Sequence, residues 1–401
     1  MDEQAPIHSH KKERGYQVII LLLMVLLVSM IGFMLLGSKN SQTEPTPNPQ
    51  VSQTPQAYDS DAEKYTWDIS EFSTGLEVPW DLALTEDGRI FVTERPGKLK
   101  LVEANGNYQT VATLSQVASV GESGLTGLAL HPDFKTNGFI YLYYTYRDSG
   151  NILNRVSRFT FKNNAISAEL IILDALPGGS IHNGGRLRFG PDIKLWVLTG
   201  DASRPALAQD INSLAGKVLR LNDDGSVPED NPVKGSLVYS TGHRNPQGID
   251  FHPLSEEILV SSHGETAYDE INLVKANGNY GWPDIKKCFS DDPRFINPIF
   301  CTKEETLAPS GLAFMGNSIW RFRYSLVFAG LRGNILQRLG IVDGKVAEEE
   351  VIIKNTYGRL RGVIVDQKTG IIYVTTSNRD GRGSVQPGDD KILKITPKKV
   401  E

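Results

Sequence analysis

The sequence predicts an all-β fold, a six-bladed β-propeller, and a sixfold repeat supports that prediction. Each copy has a short alternating strand of the type G-φ-x-φ, where φ is apolar, then a turn and a second apolar strand. The second strands begin near the following residues: Arg89, Gly138, Ile193, Glu256, Tyr324 and Gly370. Their spacings of 49, 55, 63, 68 and 46 residues are typical of four-stranded blades.

The order of elements within each copy favours the same fold. Each second strand leads into a third apolar strand, such as KLKLVEANG or GKVLRLNDDG, and Asn-Gly or Asp-Gly turns end nearly all of them. No stretch after Asp61 shows sustained helical periodicity. A solenoid, the alternative repeat architecture, would have shorter and more regular repeats. We therefore expect the first strand of each copy to lie innermost in its blade.

Residues 1–61 are predicted to comprise a short cytoplasmic segment, a membrane anchor and a linker. Residues 16–37 are 22 consecutive uncharged, mostly apolar residues, about 33 Å as a helix. Lys11, Lys12 and Arg14 precede them, so segment 1–15 should stay in the cytoplasm and the propeller should face outward. A cleaved signal peptide is the alternative, although no A-x-A site follows. Residues 38–61 are predicted to be a disordered Pro/Thr/Gln-rich linker.

Length, charge and cysteine content limit the classes of protein to which residues 62–401 can belong. These roughly 340 residues suffice for one closed domain with a large core. The formal net charge of −5 gives no indication of nucleic-acid binding. Only Cys288 and Cys301 are cysteines, thirteen apart in one polar insertion. Outside the cytoplasm such a pair predicts a local disulfide, whereas a metal site is less favoured because the insertion has neither a C-x-x-C pair nor a histidine.

Polar residues stand just before the predicted inner strands, where a propeller channel opens. They are Glu122, His182, Arg244, Asn245, Arg359 and Arg361. Taken singly, each is a candidate for a solvated turn residue; their common position in the repeat predicts one shared cavity. Three arginines facing one cavity repel one another unless an anion joins them, so the expected ligand carries carboxylates or phosphates.

Two further patterns suggest chemistry at this mouth of the channel. His182 precedes Asp201 by nineteen residues, at the far end of the paired strand, so the carboxylate is expected to orient the imidazole as a general base. The alternative is a channel histidine satisfied by a backbone carbonyl. The loop SSHGETAYDEIN, with His263, Asp269 and other oxygen donors, suits a hard cation such as calcium, although acidic loops are common.

At these residues the sequence resembles the soluble quinoprotein glucose dehydrogenase, aldose sugar dehydrogenase and sorbosone dehydrogenase family. The similarity runs from about Phe72 to Ile395 and rests on GESGLTGLALHPDF, HNGGRLRFGPD, GHRNPQGIDFHP, DEINLVKANGNYGWP, GRLRGVIVD and TSNRDGRGS. The resemblance implies a six-bladed propeller that holds pyrroloquinoline quinone (PQQ) and Ca²⁺ at the channel mouth. PQQ carries three carboxylates, which is the kind of ligand that the arginines call for.

The resemblance also implies roles for individual residues. His182 matches the catalytic base, and Asp201 matches the aspartate bonded to it. The following positions are expected to contact the cofactor: Glu122, Arg244, Asn245, His263, Arg332, Arg359, Arg361, Ser377 and Asn378. The main-chain carbonyls of Gly264 and Glu265 match calcium ligands, with Asp269 in the same loop. This chain departs from the family's glucose enzymes at Glu122, Arg332, Glu265, Ser377 and Asn378, where glutamine, lysine, proline and an acidic residue are usual.

The implied function is a membrane-anchored aldose dehydrogenase facing outward from the cell. His182 would act as general base while hydride passes from the anomeric carbon to calcium-activated PQQ, giving a lactone. Electrons would leave to a membrane quinone or another acceptor. The alternatives are an extracellular binding propeller without catalysis and a metal-dependent sugar lactonase. A base beside an anion cradle favours redox chemistry over both.

Overall fold

Twenty-five strands form six antiparallel sheets in the computed structural model, which describes residues 64–316 and 318–400. The first strands of successive sheets contact one another in chain order, and the sixth returns to contact the first. This closed ring confirms the six-bladed propeller, with each first strand innermost. Helical structure in these residues is limited to Phe134–Asn137 and two 3-10 segments, Pro205–Ala208 and Trp320–Phe322.

The first three blades have these strands. Blade 1 comprises β2 (Pro79–Leu84), β3 (Ile90–Glu94), β4 (Lys98–Val102) and β5 (Tyr108–Thr113). Blade 2 comprises β6 (Leu125–Leu130), β7 (Phe139–Asp148), β8 (Asn151–Lys162) and β10 (Leu170–Pro177), with β9 (Ala165–Ile166) paired to β8. Blade 3 comprises β11 (Leu187–Phe189), β12 (Leu195–Thr199), β13 (Lys217–Leu221) and β14 (Val238–Ser240).

The remaining blades follow the same order. Blade 4 comprises β15 (Pro246–Phe251), β16 (Ile258–Ser262), β17 (Glu270–Val274) and β18 (Phe300–Cys301). Blade 5 comprises β19 (Pro309–Phe314), β20 (Leu326–Gly330), β21 (Ile335–Val342) and β22 (Lys345–Lys354). Blade 6 comprises β23 (Leu360–Val365), β24 (Ile372–Thr376), β25 (Ile392–Lys399) and, outermost, β1 (Tyr65–Ser73). Every second strand begins within two residues of its predicted start.

Strand β1 closes the propeller, which the repeat did not predict. It pairs antiparallel with β25 from Tyr65 opposite Lys399 to Ser73 opposite Ile392. Both ends of the propeller sequence therefore lie in one sheet, and the closed ring leaves only short strand edges. Trp67 of β1 adds a link to blade 5, because its indole N–H donates to Glu350 at 2.7 Å.

Bulges near the start of five inner strands shape the channel mouth. The pairing with the second strand shifts after Pro79, Leu125, Pro246, Pro309 and Leu360. A bulge re-aims the side chains that it contains and is common beside functional sites. Gln247 and Arg361 lie in two of these bulges and both face the cavity described below.

The repeated glycine is required where inner strands of neighbouring blades approach each other. A Cβ atom at Gly127 would overlap the carbonyl oxygen of Gly185 in the next blade, and one at Gly248 would overlap that of Ser310. Glycine therefore allows the backbones to pack closely around the channel. Because the packing partner is another blade, the same glycine recurs with the period of the repeat.

Each adjacent pair of blades shares one apolar cluster in the described part of the chain. A buried ion pair adds a polar link inside the ring, where Arg186 before β11 contacts Asp81 of β2. Arg186 Nε also donates to the carbonyl oxygen of Gln247 at 2.7 Å. Blades 1, 3 and 4 are thus joined beneath the channel mouth.

The remaining organisational predictions have different outcomes. Cys288 and Cys301 form a disulfide, as predicted, with a Cα–Cα distance of 5.7 Å. Within residues 64–316 and 318–400, no helix is long and apolar enough to span a bilayer. The predicted segments 1–15, 16–37 and 38–61 lie outside the described residues.

Candidate active site

An open cavity of about 690 Å³ lies at the channel mouth where the inner strands begin, and we call it the cup. It brings together most of the residues singled out in the sequence. These are Glu122, His182, Arg244, Asn245, His263, Gly264, Glu265, Asp269, Arg332, Arg359 and Arg361. Asp201, Ser377 and Asn378 are absent from its lining and lie behind it. The expectation that separate blades aim polar side chains into one space is confirmed.

His182 and Asp201 form the predicted pair. The distance from His182 Nδ1 to Asp201 Oδ1 is 2.9 Å, and Asp201 is completely buried while the imidazole borders the cup. A carboxylate accepts only from a protonated nitrogen, so the geometry assigns the proton to Nδ1 and leaves Nε2 as the free acceptor. The hydrogen-bond partner of His182 Nδ1 is therefore a carboxylate and not the backbone carbonyl of the alternative interpretation.

The backbone around this pair has an unusual conformation. His182 has φ 58°, and Ala202 and Ser203 have φ 50° and 59°, values that cost energy for residues with a side chain. The backbone N–H of His182 donates to Glu122 Oε2 at 3.3 Å, and that of Ser203 donates to Asp201 Oδ1 at 2.8 Å. These contacts hold the strained turn in place.

The arginine cluster differs from the expectation in one respect. We expected Arg359 and Arg361 to require an external anion, but Asp380 already lies between them. Its Oδ2 is 2.8 Å from Arg359 Nη2 and 3.5 Å from Arg361 Nη2, and its side chain is buried. Burial lowers the pKa of Arg361 to about 9, so this guanidinium group is charged at pH 7. Arg359 and Arg361 share a single carboxylate.

Three further arginines line the cup, and they differ in how far the chain itself supplies their hydrogen-bond partners. Arg244 Nε is buried and has no hydrogen-bond partner among the described residues. Burial lowers the pKa of Arg244, which shows the cost of keeping this charge out of water. Arg382 pairs with Glu122 at 2.6 Å across the cup mouth. Arg332 is exposed and takes part in no ion pair within residues 64–316 and 318–400. An anionic ligand would satisfy this excess of donors.

The predicted cation-binding loop follows β16 and curves along the cup. Both oxygens of Asp269 accept backbone N–H groups, Oδ1 from Gly264 at 3.0 Å and Oδ2 from Leu307 and Ala308 at 2.7 and 2.8 Å. Asp269 therefore fixes the shape of the turn. Glu265 directs its carboxylate to Lys286, at 3.0 Å, which leaves the main-chain carbonyls of the turn as its candidate ligands.

His263 is held beside this loop as a neutral side chain. Its Nε2 lies 3.0 Å from the carbonyl oxygen of Pro309, so Nε2 carries the proton. Asn245 Nδ2 lies 3.4 Å from His263 Nδ1, and Asn245 Oδ1 accepts the N–H of Gly184 at 3.1 Å. Burial lowers the pKa of His263 to about 4. His263 is thus a hydrogen-bonding wall residue at pH 7 and not a second base.

Ser377 and Asn378 support the arginines from outside the cup. Arg361 Nε donates to Ser377 Oγ at 3.1 Å, and the backbone N–H of Arg359 donates to Asn378 Oδ1 at 2.9 Å. Both residues are buried. We predicted Ser377 and Asn378 as cofactor contacts, but they lie behind the arginines and do not line the cup. The acidic residue next to these arginines is Asp380.

Sequence reasoning missed four contributors to the site. Gln247 and Arg382 line the cup, Asp380 pairs with the arginines, and Trp282 donates its indole N–H to Asp201 Oδ2 at 2.8 Å. Asp380 and Arg382 lie in TSNRDGRGS and Trp282 in NYGWP, two motifs that supported the family resemblance without assigning a role to these three residues. Gln247, Arg382 and Trp282 contact residues of other blades, so no local spacing pointed to them. Asp380 instead flanks the β23–β24 hairpin together with Arg359, at a separation of 21 residues, and the spacing that indicated Asp201 could have found it.

The comparisons with known proteins agree with this geometry. The family model for glucose / sorbosone dehydrogenase matches residues 76–386. A PQQ-bound aldose sugar dehydrogenase from Streptomyces coelicolor has 33% sequence identity and a TM-score of 0.77, covering 84% of this chain and 100% of that one.

Two curated relatives have the same kind of name. Aldose sugar dehydrogenase YliI of Escherichia coli is 29% identical across 83% of this chain and 94% of its own length. Quinoprotein glucose dehydrogenase B of Acinetobacter calcoaceticus is 35% identical across 56% of this chain, which spans about half (54%) of that relative. The fold, the cup and the family match lead to one conclusion: this chain belongs to the glucose / sorbosone dehydrogenase family.

Proposed function

We propose that the chain is a PQQ-dependent dehydrogenase of aldose sugars that oxidises the anomeric carbon to a lactone. The observation that carries the proposal is the placement of the His182–Asp201 pair and an arginine cluster in one cup. A proton acceptor beside an anion-binding surface is what oxidation with an anionic cofactor requires. Family membership and the names of the relatives support the same reaction class.

The residues of the cup fit PQQ. Arg244 Nε is buried without a partner, and Arg359 and Arg361 share the single carboxylate of Asp380, so the site has more cationic donors than internal acceptors. A ligand with three carboxylates would supply the missing acceptors. Arg244, Arg332, Arg359 and Arg361 would hold these groups. When bound, PQQ supplies the two-electron acceptor for the hydride that leaves the anomeric carbon.

His182 would accept the proton of the anomeric hydroxyl. Its Nδ1–H is bonded to Asp201, which leaves Nε2 as the basic nitrogen and stabilises the imidazolium after proton transfer. Asp201 is fully buried and accepts from three donors, so the pair is aligned before substrate binds. The cationic walls would stabilise the negative charge that accumulates on the anionic cofactor.

Calcium binding at the loop after β16 is part of the proposal. Among the described residues, no three His, Cys, Asp or Glu side chains are grouped to hold a metal ion. A calcium ion would accordingly rely on the main-chain carbonyls of Gly264 and Glu265 and on oxygen atoms of the cofactor. Asp269 would maintain the turn through its three backbone contacts.

The predicted location also remains a proposal. The apolar sequence 16–37 and the basic residues before it favour a single-pass membrane anchor with the propeller on the extracytoplasmic side. A membrane quinone or another acceptor would then collect the electrons. Fractionation of cells followed by protease accessibility tests this: the full-length protein should sediment with membranes and be cleaved from the outer side only.

The reaction is tested with purified full-length protein, PQQ, Ca²⁺, a panel of aldoses and a dye acceptor. We expect dye reduction that depends on both PQQ and an aldose. Lactone hydrolysis without PQQ would favour a lactonase, and the lack of both PQQ binding and turnover would favour a binding propeller that has lost the cofactor. Absence of PQQ binding together with absence of turnover would overturn the proposed function.

A further inference from the structure

Trp282 lies on the segment between β17 and β18 and reaches the catalytic pair from another blade. Its indole Nε1–H donates to Asp201 Oδ2 at 2.8 Å, across 81 residues of sequence. Both residues are buried, with 7% of Trp282 and none of Asp201 exposed. A hydrogen bond from an indole N–H to a carboxylate oxygen is charge-assisted and therefore strong.

The two oxygens of Asp201 have separate partners. Oδ1 accepts from His182 Nδ1 at 2.9 Å and from the backbone N–H of Ser203 at 2.8 Å. Oδ2 accepts from Trp282 and from no other donor among the described residues. Without the indole, one oxygen of a fully buried carboxylate would lose its only partner, which is costly. The carboxylate would then gain by turning toward other donors, and the contact with His182 would loosen.

Trp282 is itself held by the loop that carries Asp201. Gln209 Nε2 donates to the carbonyl oxygen of Trp282 at 2.7 Å. The backbone N–H of Trp282 donates to the carbonyl oxygen of Gly242 at 3.1 Å. Asn279 Nδ2 donates to Gln209 Oε1 at 2.8 Å. The indole position is therefore determined by contacts on both sides of the blade boundary.

The indole ring also touches the cationic side of the cup. The guanidinium carbon of Arg244 lies 5.3 Å from the ring centroid and Lys286 Nζ lies 5.7 Å from it, within the range of cation–π attraction. Lys286 in turn pairs with Glu265 in the candidate calcium loop. The side chain of Trp282 thus contacts Asp201, Arg244 and Lys286.

We propose that Trp282 is a positioning residue for the reaction. It fixes the orientation of Asp201, and thereby keeps the proton of His182 on Nδ1 and leaves Nε2 free to accept the substrate proton. This inference deepens the proposed function and depends on it for its catalytic meaning. Its structural content, the tautomer of His182, is independent of turnover.

The test compares Trp282→Phe with Trp67→Phe in the full-length protein. Trp67 also donates its indole N–H to a carboxylate, that of Glu350, at 2.7 Å, but it lies in the outermost strand of blade 6. Imidazole ¹⁵N spectra of unliganded protein, with His182→Gln to identify the signals, report the tautomer. We expect Trp282→Phe to mix the two tautomers, and Trp67→Phe to leave the single Nδ1–H form.

With PQQ, Ca²⁺ and an aldose, Trp282→Phe should lower kcat by about 10- to 100-fold with little change in KM. A wild-type tautomer and a wild-type kcat in Trp282→Phe would overturn the positioning role, as would equal effects of Trp67→Phe. If wild-type protein oxidises no aldose, the proposed function fails, and the spectra alone decide whether Trp282 fixes the imidazole.

Discussion

The two sides of the cup are prepared for their tasks in different ways. On the base side, each carboxylate oxygen of Asp201 has a donor, and the chain supplies all of these donors itself. On the arginine side, Arg359 and Arg361 share one carboxylate and Arg244 Nε has no partner among the described residues. All hydrogen bonds of the base side are thus made within the chain, whereas the arginine side keeps donors that the proposed anionic cofactor would satisfy.

This difference separates what the chain determines from what a ligand must add. A general base has to be aligned before the substrate arrives, because realignment during the reaction would add to the barrier. A cofactor site gains affinity from donors that are left unsatisfied until the cofactor binds. Substitutions on the base side should therefore lower turnover, and substitutions on the arginine side should change stability and cofactor binding.

The largest effect is expected for Asp201→Asn. An amide in place of the carboxylate would favour the wrong tautomer of His182, as in hydrolases whose histidine loses its aspartate. We expect kcat to fall about 10³- to 10⁴-fold, with the dissociation constant of PQQ within about threefold of wild type. Steady-state rates and a fluorescence titration measure the two quantities. A normal kcat would show that the pair is not the proton acceptor.

The next effect is expected for Asp380→Asn on the other side. Removing the shared carboxylate leaves the buried Arg361 and the partly buried Arg359 without this negative partner, which should cost about 3 kcal/mol in the unliganded protein. PQQ should then raise the melting temperature more in the variant than in wild type, because its carboxylates replace the missing charge. Asp174→Asn, which breaks the partly exposed pair with Arg155 at 2.9 Å, should cost under about 1 kcal/mol. Equal losses of stability in Asp380→Asn and Asp174→Asn would contradict the claim that the arginine pair depends on a buried carboxylate.

A smaller effect depends on pH and involves His243, which precedes Arg244. Its ring is buried, stacks on Tyr280 and has Nε2 2.9 Å from Ser240 Oγ; burial lowers its pKa to about 3. The unfolded chain takes up this proton below about pH 6.5 and the folded chain does not until about pH 3. Stability should therefore fall as pH drops from 6.5, by about 2 to 3 kcal/mol at pH 4.5.

The variant His243→Gln should lose this contribution. Thermal unfolding followed between pH 7 and pH 4.5 should give a shallower decline for the variant than for wild type, even though its stability at pH 7 is lower. Parallel curves would mean that His243 does not titrate on unfolding in this range.

The smallest effect is expected for the double substitution Cys288→Ser with Cys301→Ser. The disulfide joins cysteines 13 positions apart, shortly after Trp282 in the sequence, and its loss should cost roughly 2 kcal/mol. Because Trp282 is also held by Gln209 and Gly242, we expect kcat to change less than about threefold. A much larger fall in kcat would show that the alignment of His182 and Asp201 depends on the disulfide.

The repeat predicted the blades, the inner strands and the residues that ring the cup, because each blade carries its own local signal. Closure by β1 had no such signal, since Tyr65 pairs with Lys399 at the opposite end of the propeller sequence. The same reason explains Trp282, whose partner Asp201 belongs to another blade. Asp380 and Arg359 flank the β23–β24 hairpin, so the local signal for that pair was present and was missed. The His182–Asp201 contact was accessible because both residues flank one strand hairpin.

The most direct test of the central claim is a single turnover. Full-length protein loaded with one equivalent of PQQ and Ca²⁺ under anaerobic conditions is mixed with an aldose while the absorbance of the bound cofactor is recorded. Wild type should reduce its cofactor at once, and His182→Gln should retain PQQ but reduce it at least about 10³-fold more slowly. Equal rates in the two proteins, or PQQ that no aldose reduces, would contradict the account.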